Sequence, residues 1–222
     1  GEGTGTPPSE TVGGGDTSTS SNYRFDDSAM VITNISPSTS AQAFIDNISV
    51  ENGSVRLLNS DGSEETNMAG TGDVAVIYDG NGQEVSRYQL LIYGDVNGDG
   101  KVEIAVGGSV TCLYDTDGRE LWRYEGSIES QHIALGKFLP NEPGLQVAGL
   151  DRIVRGDGYK GQWDGKDGMF LIDCNGNEVW KEDRKTKGWL TIVDALYNWN
   201  GEGKDYILAY RRGGGVTPAL YD

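Results

Sequence analysis

The sequence has little of what many metal and redox sites are built from: one histidine, His132, and two cysteines, Cys112 and Cys174, in 222 residues. Two cysteines are too few for a disulfide framework, and their spacing matches no zinc-binding pattern. We therefore expect two partly buried thiols, because such a cysteine behaves as a small apolar residue. No apolar run approaches the ~20 residues that a membrane-spanning helix requires, so we expect no membrane span.

Basic residues are also few, 18 against 34 acidic ones, which gives a formal net charge of −16. This balance argues against a nucleic-acid partner, since phosphates require a basic surface, and it suits a calcium-rich, secreted environment. The charge is uneven: residues 1–136 hold 21 acidic and 6 basic side chains, and residues 137–222 hold 13 and 12. A solvated surface explains any single basic residue, but the cluster is what binding an anionic polymer would require.

Glycine is abundant, with 34 residues, and only 36% of the chain is apolar, which indicates a loop-rich, all-β protein. Residues 1–22 have hardly any apolar side chain and predict a disordered Gly/Ser/Thr linker, of a kind that suits a bacterial surface protein. Residues 23–92 contain short β-branched segments between turn sequences such as ENG and DGNG. This pattern predicts a small β-sandwich module.

The segment GDVNGDGKVEIAV at 94–106 places Asp, Asn and Asp at alternate positions, which is typical of calcium loops. In a helix–loop–helix site, as in a dockerin, the twelfth position needs a carboxylate and a helix follows. Val106 occupies that position and the next residues are strand-like, so the dockerin interpretation fails. A plain polar hairpin loop is one alternative. A blade loop of a β-propeller fits better, with Ca²⁺ bound by Asp95, Asn97, Asp99, the Lys101 carbonyl and Glu103.

Repeats support a propeller. CLYDTDGRELWR at 112–123 matches FLIDCNGNEVWK at 170–181, and both predict a strand, an Asp-x-x-Gly turn and a strand with Trp. A weaker copy of the calcium loop lies at 198–206, where Tyr206 replaces the last acid. Residues 93–222 therefore predict two to three blades of an incomplete calcium-binding β-propeller. Because a ring needs at least four blades, we expect the chain to be a fragment of a longer protein.

Two resemblances follow from these segments. Residues 28–101, ending in LLIYGDVNGDGK, resemble the small β modules that precede dockerins in clostridial cell-wall enzymes. Most of residues 93–222, including QHIALGKFLPNEPGLQVAGLDRIVRGDG, resembles the propeller of bacterial rhamnogalacturonan lyases of the family 11 type. This second resemblance implies a secreted or cell-surface enzyme that cleaves the pectin backbone by calcium-assisted β-elimination. The expected partner is then an acidic polysaccharide.

Candidate site residues follow from chemistry and from that resemblance. His132 is a candidate base, although a structural histidine is the alternative, and Arg211 and Arg212 precede three glycines that would let a ligand approach the backbone. Planar guanidinium groups suit carboxylates and an aromatic ring can stack on a sugar. The candidate substrate-binding residues are Arg152, Arg155, Lys160 and Trp189. The alternative function is a non-catalytic calcium-binding propeller for carbohydrate binding or surface adhesion, and a dockerin-type component is a third, weaker one.

Overall fold

A computed structural model of the chain describes residues 18–127, 129–151, 168–183, 190–201, 204–211 and 217–222. The described residues form strands and one short helix, which confirms the predicted all-β class. The first half contains β1 (Ser18–Thr19), β2 (Arg24–Asp26), β3 (Val31–Thr33), α1 (Ala41–Asp46), β4 (Ser49–Val50), β5 (Ser54–Leu58), β6 (Val74–Tyr78), β7 (Glu84–Leu90) and β8 (Glu103–Gly107). The second half contains β9 (Thr111–Asp115), β10 (Glu120–Tyr124), β11 (Ile133–Gly136), β12 (Gln146–Asp151), β13 (Gly168–Ile172), β14 (Glu178–Asp183), β15 (Ile192–Leu196), β16 (Tyr206–Tyr210) and β17 (Ala219–Tyr221).

The first module is built on a five-stranded sheet in the order β2-β3-β7-β6-β5, in which only the β3–β7 pair is parallel. Helix α1 covers one face, because Phe44 packs into the same apolar core as Ile32 and Leu57. The helix begins at Ser40, whose hydroxyl accepts a hydrogen bond from the Ala43 N–H at 3.1 Å. β1 and β4 form a separate two-stranded sheet. With six residues, α1 is far too short to cross a bilayer, and no other helix lies in the described residues.

Three antiparallel sheets follow along the chain: β8-β9-β10, β11-β12-β13-β14 and β15-β16-β17. Each sheet pairs strands that are consecutive in sequence, as a propeller blade does. None of the sheets closes on itself. The predicted boundary between the module and the blades, at residues 92 and 93, falls in the connection from β7 to β8 and stays a prediction.

The two hairpins predicted from the sequence, β9–β10 and β13–β14, have the same strand register. In β9–β10, Glu120 lies opposite Tyr114 and Trp122 lies opposite Leu113, so one residue bulges between them. In β13–β14, Glu178 and Trp180 take the corresponding places. The turn is closed in both by an aspartate whose carboxylate accepts hydrogen bonds from main-chain N–H groups two and four residues later. The repeat seen in the sequence is therefore a structural repeat.

A third copy of this hairpin lies in the first module, between β6 and β7. Glu84 lies opposite Tyr78 and Ser86 lies opposite Ile77, with the same bulge. Asp79 closes the turn through the N–H groups of residues 81 and 83. The sequence comparison missed this copy because Ser86 stands where the other two hairpins have tryptophan.

Neighbouring sheets are joined through the hairpin aromatics. The Trp122 indole N–H donates to the Cys174 carbonyl at 2.9 Å, and the Tyr124 hydroxyl donates to Glu178 at 2.5 Å. Cys174 and Cys112 are both buried, free thiols. The edge strand β8 is different: Ile104 and Val106 are 54% and 48% exposed, whereas every residue of β12 is buried. β12 has a strand on each side, and β8 has only β9.

Candidate metal centre

The first ligand position of the predicted calcium loop is fully buried. Asp95 lies in the connection from the module to β8, and its Oδ2 accepts a hydrogen bond at 2.6 Å from the N–H of Thr71. Its Oδ1 accepts from the Gly98 N–H at 2.9 Å. These bonds hold the carboxylate between the loop and the module. They still leave lone pairs on both oxygens for a cation.

Glu103, the first residue of β8, supplies the second buried carboxylate. Its Oε2 accepts from the Val96 N–H at 2.8 Å. Asp99, at the exposed side of the loop, completes a group in which Asp95, Asp99 and Glu103 each offer an oxygen, all within 4.8 Å of one another. Three carboxylate oxygens at this separation could hold a metal ion.

The two other predicted ligands belong to the same loop. The Asn97 side-chain oxygen accepts from the Asp99 N–H at 2.9 Å, and Asp99 Oδ1 accepts from the Lys101 N–H at 2.9 Å. Each polar side chain thus folds the main chain two residues ahead, as Asn and Asp do in tight turns. The Lys101 ammonium lies 3.9 Å from Asp99. Coordination by Asn97 and by the Lys101 carbonyl stays a prediction.

Glycines let the loop touch the module through main-chain atoms. Gly98 has φ +82°, a conformation that favours glycine. A Cβ on Gly98 would lie 2.8 Å from the Thr71 carbonyl, and one on Gly70 would lie 2.1 Å from the Gly98 carbonyl. The Ser38 N–H also donates to the Gly100 carbonyl at 2.6 Å. The candidate metal loop is therefore packed directly on segment 68–73 of the module.

The pKa values of the buried carboxyl groups in and beside the loop are raised, because burial disfavours their charged form. Burial is the main reason that the pKa of Asp95 is raised to about 6 and that of Glu103 to about 7. Burial likewise raises the pKa of Asp73 to about 7; its Oδ2 accepts from the Gly70 N–H at 2.7 Å. Among the described residues, no lysine or arginine forms an ion pair with any of these three carboxylates. A bound cation would supply the missing positive charge.

No protein-family model and no curated protein matches this chain. Its site is therefore assigned from its own side chains, and the resemblance to rhamnogalacturonan lyases stays a prediction. Asp73 was not identified from the sequence, because it lies 22 residues before Asp95 and outside the loop pattern. Only the fold brings its carboxyl close enough to interact electrostatically with Asp95.

The loop before β16 repeats one hydrogen bond of the candidate metal loop. Asp205 is buried and its Oδ1 accepts from the Asn198 N–H at 2.8 Å. Glu103 makes the same bond to the residue seven positions before it. The weaker copy of the calcium loop is thus shifted by one residue from the predicted register: its acid is Asp205, and Tyr206 lies one position beyond it. In this register Tyr197 stands in the place of Asp95.

The loop before β12 has the same fold and an internal cation. Gln146 Oε1 accepts from the Leu139 N–H at 2.9 Å, again seven residues apart. Lys137 is almost completely buried, and its ammonium donates to the carbonyls of Gly144, at 3.0 Å, and Glu142. Burial lowers the Lys137 pKa to about 8. In this loop the Lys137 ammonium binds main-chain carbonyls, and no residue of the loop belongs to the acidic group at Asp95, Asp99 and Glu103.

The predicted catalytic residues lie away from the acidic loop. His132 precedes β11, and its Nδ1 lies 2.8 Å from the Val193 carbonyl and 3.2 Å from the Val193 N–H. These contacts join two sheets, as the structural alternative for His132 requires. Arg211 follows the end of β16, which is the same end of the sheets because β16 runs antiparallel to β15. The loops 95–102 and 137–145 lie at the other end of the strands.

Arg152, Arg155, Lys160, Trp189 and Arg212 lie outside the described residues. Asp151, the last residue of β12, is described: it is buried and forms an ion pair with Lys181 at 3.2 Å. His132 lies near the same strand end, since its carbonyl accepts from the Leu150 N–H.

Proposed function

We propose that the chain binds Ca²⁺ in loop 95–103 and that the ion is a structural element. The observation that carries this proposal is the convergence of Asp95, Asp99 and Glu103 within 4.8 Å, two of them buried, with no basic side chain paired to the buried two among the described residues. Buried carboxylates are costly unless they are protonated, paired or bound to a metal. A divalent cation offsets that cost at neutral pH.

The donor set favours calcium over other common metals. Every candidate ligand in the loop is an oxygen of Asp, Asn, Glu or the main chain. Ca²⁺ takes six to eight such ligands in flexible geometry, whereas Mg²⁺ requires a near-ideal octahedron and usually keeps several waters. Zn²⁺ sites are built mainly from His and Cys, and neither residue belongs to the acidic group.

The proposed role follows from where the loop sits. Asp95 is bonded to the module through Thr71, and Glu103 begins the first strand of the next sheet. An ion held by both would tie the module to that sheet. We expect it to stabilise the folded state and to take no part in chemistry at the opposite end of the strands.

The test is thermal unfolding of chelator-treated protein in Ca²⁺, in Mg²⁺ and in neither. A ligand present at 100 times its Kd stabilises the folded state by about 2.7 kcal/mol. For a chain of this size that is a rise in Tm of about 5–10 °C. We expect this rise with Ca²⁺ and a much smaller one with Mg²⁺. An unchanged Tm in millimolar Ca²⁺ would reject the proposal.

A second candidate function is action on an acidic polysaccharide outside the cell. It is favoured by the position of Arg211 and His132 at one end of the sheets. Segments 152–167 and 212–216, which contain basic residues, follow Asp151 and Arg211 directly in the sequence. In β-elimination a base removes the C5 proton of a galacturonate and the 4-linked sugar leaves. Incubation with rhamnogalacturonan I, followed by the ultraviolet absorbance of the unsaturated product, tests cleavage. Loss of this activity in both Arg211→Ala and His132→Ala would support cleavage at this end of the sheets. If the natural sequence gives no rise in absorbance, the chain does not cleave the polysaccharide and could only bind it.

A further inference from the structure

A cavity of about 320 Å³ lies between the first module and the loop that follows β15. Its volume is at the lower end of the range for small-molecule sites, about 300–1,000 Å³. One wall is the outer face of β2 and β3, and the other is formed by Tyr197 and Asn198. The two walls are more than 160 residues apart in sequence, so the cavity exists only in the folded chain.

The β2–β3 wall has a mixed polar and apolar surface. Arg24 lies directly opposite Thr33, and Asp26 lies opposite Val31, so these four side chains form one patch on the face away from the module core. Val31 and the neighbouring Leu91 are buried and form the apolar floor. Such a surface, part apolar and part hydrogen-bonding, is what specific small-molecule sites present.

Two tyrosines stand at the cavity in contact with each other. The rings of Tyr93 and Tyr197 have centroids 5.1 Å apart and are inclined at 76°. They are nevertheless 43% and 57% exposed. Large aromatic side chains left open at the mouth of a cavity offer a flat, electron-rich face to a ligand.

The polar side chains of the cavity differ in how far they are already engaged. Asp26 Oδ1 accepts from the Ser28 N–H at 3.1 Å and the Ser28 hydroxyl at 2.6 Å, and its Oδ2 accepts from the Asn198 side chain at 3.3 Å. The bond from Asn198 joins the two walls to each other. The Arg24 side chain forms no hydrogen bond or ion pair with any described residue. Its guanidinium is therefore available to a ligand.

We propose that this cavity binds a pyranose unit that carries a carboxylate, that is, an acidic sugar of an oligosaccharide. The C–H groups on one face of a pyranose pack against an aromatic ring, which Tyr197 provides. The planar guanidinium of Arg24 matches a carboxylate bidentately. Thr33 provides a hydroxyl for the ring hydroxyls. The inference goes beyond the calcium proposal and needs neither the metal nor cleavage; it shares its ligand class with the second candidate function, but the cavity lies at the opposite end of β15 from His132 and Arg211.

The test is isothermal titration of the calcium-treated full chain with tetragalacturonate and, separately, with uncharged galactotetraose. Four proteins are compared: the natural sequence, Tyr197→Ala, Arg24→Gln and the control Trp199→Ala. Trp199 is 66% exposed and close in sequence, but it does not line the cavity. All three positions are at the surface, and an unchanged circular dichroism spectrum and Tm verify folding.

We expect tetragalacturonate to bind to the natural sequence. Its affinity should fall about tenfold or more in Tyr197→Ala and in Arg24→Gln. Loss of a central aromatic or arginine contact costs over ~1.4 kcal/mol, which is a factor of ten in affinity. Trp199→Ala should bind like the natural sequence. Galactotetraose should bind about tenfold more weakly. The proposal is overturned by absence of tetragalacturonate binding, by binding that Tyr197→Ala leaves intact, or by equal binding of the two tetrasaccharides.

Discussion

The carboxylate of Glu103 accepts a hydrogen bond at 2.8 Å from the main-chain N–H of Val96, seven residues before it. Gln146 and Asp205 each accept the same bond from the residue seven positions earlier; Gln146 begins β12 and Asp205 directly precedes β16, the second strands of the two following sheets. An oxygen at this position therefore folds the loop in all three sheets, whether it belongs to an acid or an amide. In the first loop, Asp95 and Asp99 add two further carboxylates to it.

Glu103→Gln should separate the folding role of this residue from metal binding. The amide oxygen can still accept from Val96, as Gln146 does from Leu139, but the negative charge is lost. We expect the Ca²⁺ affinity to fall by at least about tenfold, the lower bound for removing even an outer partner of a metal ligand. Titration calorimetry measures this. Gln146→Glu is the matched control, whose Ca²⁺ affinity should not change; equal affinity in Glu103→Gln would mean that Glu103 is not a ligand.

Gly70→Ala should weaken calcium binding although Gly70 is not a ligand. Its new Cβ would lie 2.1 Å from the Gly98 carbonyl, so the loop or the module must move. We expect a loss of Ca²⁺ affinity on the order of tenfold, as for other outer-shell disturbances. Gly108→Ala is the control, because its Cβ would meet nothing closer than 3.9 Å. If both variants bind Ca²⁺ like the natural sequence, the contact between loop and module does not set the metal geometry.

Without metal, stability should fall as the pH rises from about 4 to about 7. The folded pKa values of Asp95 and Glu103, about 6 and about 7, lie above their unfolded values of about 4. The folded state then holds more protons than the unfolded state in this window, so the free energy of unfolding decreases with pH. Saturating Ca²⁺ should remove this decrease, because the metal binds the ionised carboxylates.

Scanning calorimetry at several pH values, with chelator and with Ca²⁺, measures this dependence. The increase in Tm caused by Ca²⁺ should be small near pH 5 and larger near pH 7.5. Asp95→Asn in chelator should show a weaker fall of Tm with pH, since it removes one of the buried acids. A Tm in chelator that rises between pH 5 and pH 7 would contradict the assigned burial of these carboxylates.

Lys137→Met should destabilise the fold without affecting calcium binding. The variant keeps an aliphatic side chain but leaves the Gly144 and Glu142 carbonyls without the ammonium that binds them. An unsatisfied buried acceptor costs about 1–3 kcal/mol. Urea denaturation should show a loss of this size, with Ca²⁺ affinity within twofold of the natural sequence. Unchanged stability would show that the ammonium is not needed in this loop.

The sequence was informative where the relevant contacts are local. The candidate metal loop and the hairpins at 112–123 and 170–181 were predictable, because their ligand spacing and turns are set within about ten residues. The register of the weaker loop was not, because it depends on where β16 begins, and Asp205 precedes that strand directly. The third hairpin was missed because Ser86 replaces the tryptophan used to align the other two.

The contacts between distant segments had no sequence signal. Asp73 reaches the neighbourhood of Asp95 only because segment 68–73 packs on the loop. The cavity likewise depends on Asn198 bonding to Asp26, 172 residues away. From the sequence alone, His132 could be either a base or a structural residue. In the fold its Nδ1 contacts the main chain of Val193 in a neighbouring sheet, which is a structural role.

The most direct measurement is the anomalous difference density of crystals grown in Ca²⁺, collected at a long wavelength. We expect one strong peak between the carboxylates of Asp95, Asp99 and Glu103, with oxygen ligands at about 2.3–2.6 Å. The peak should be weaker in Glu103→Gln crystals grown in the same solution. A natural-sequence crystal without a peak at this position, or with calcium bound elsewhere and this loop empty, would contradict this expectation.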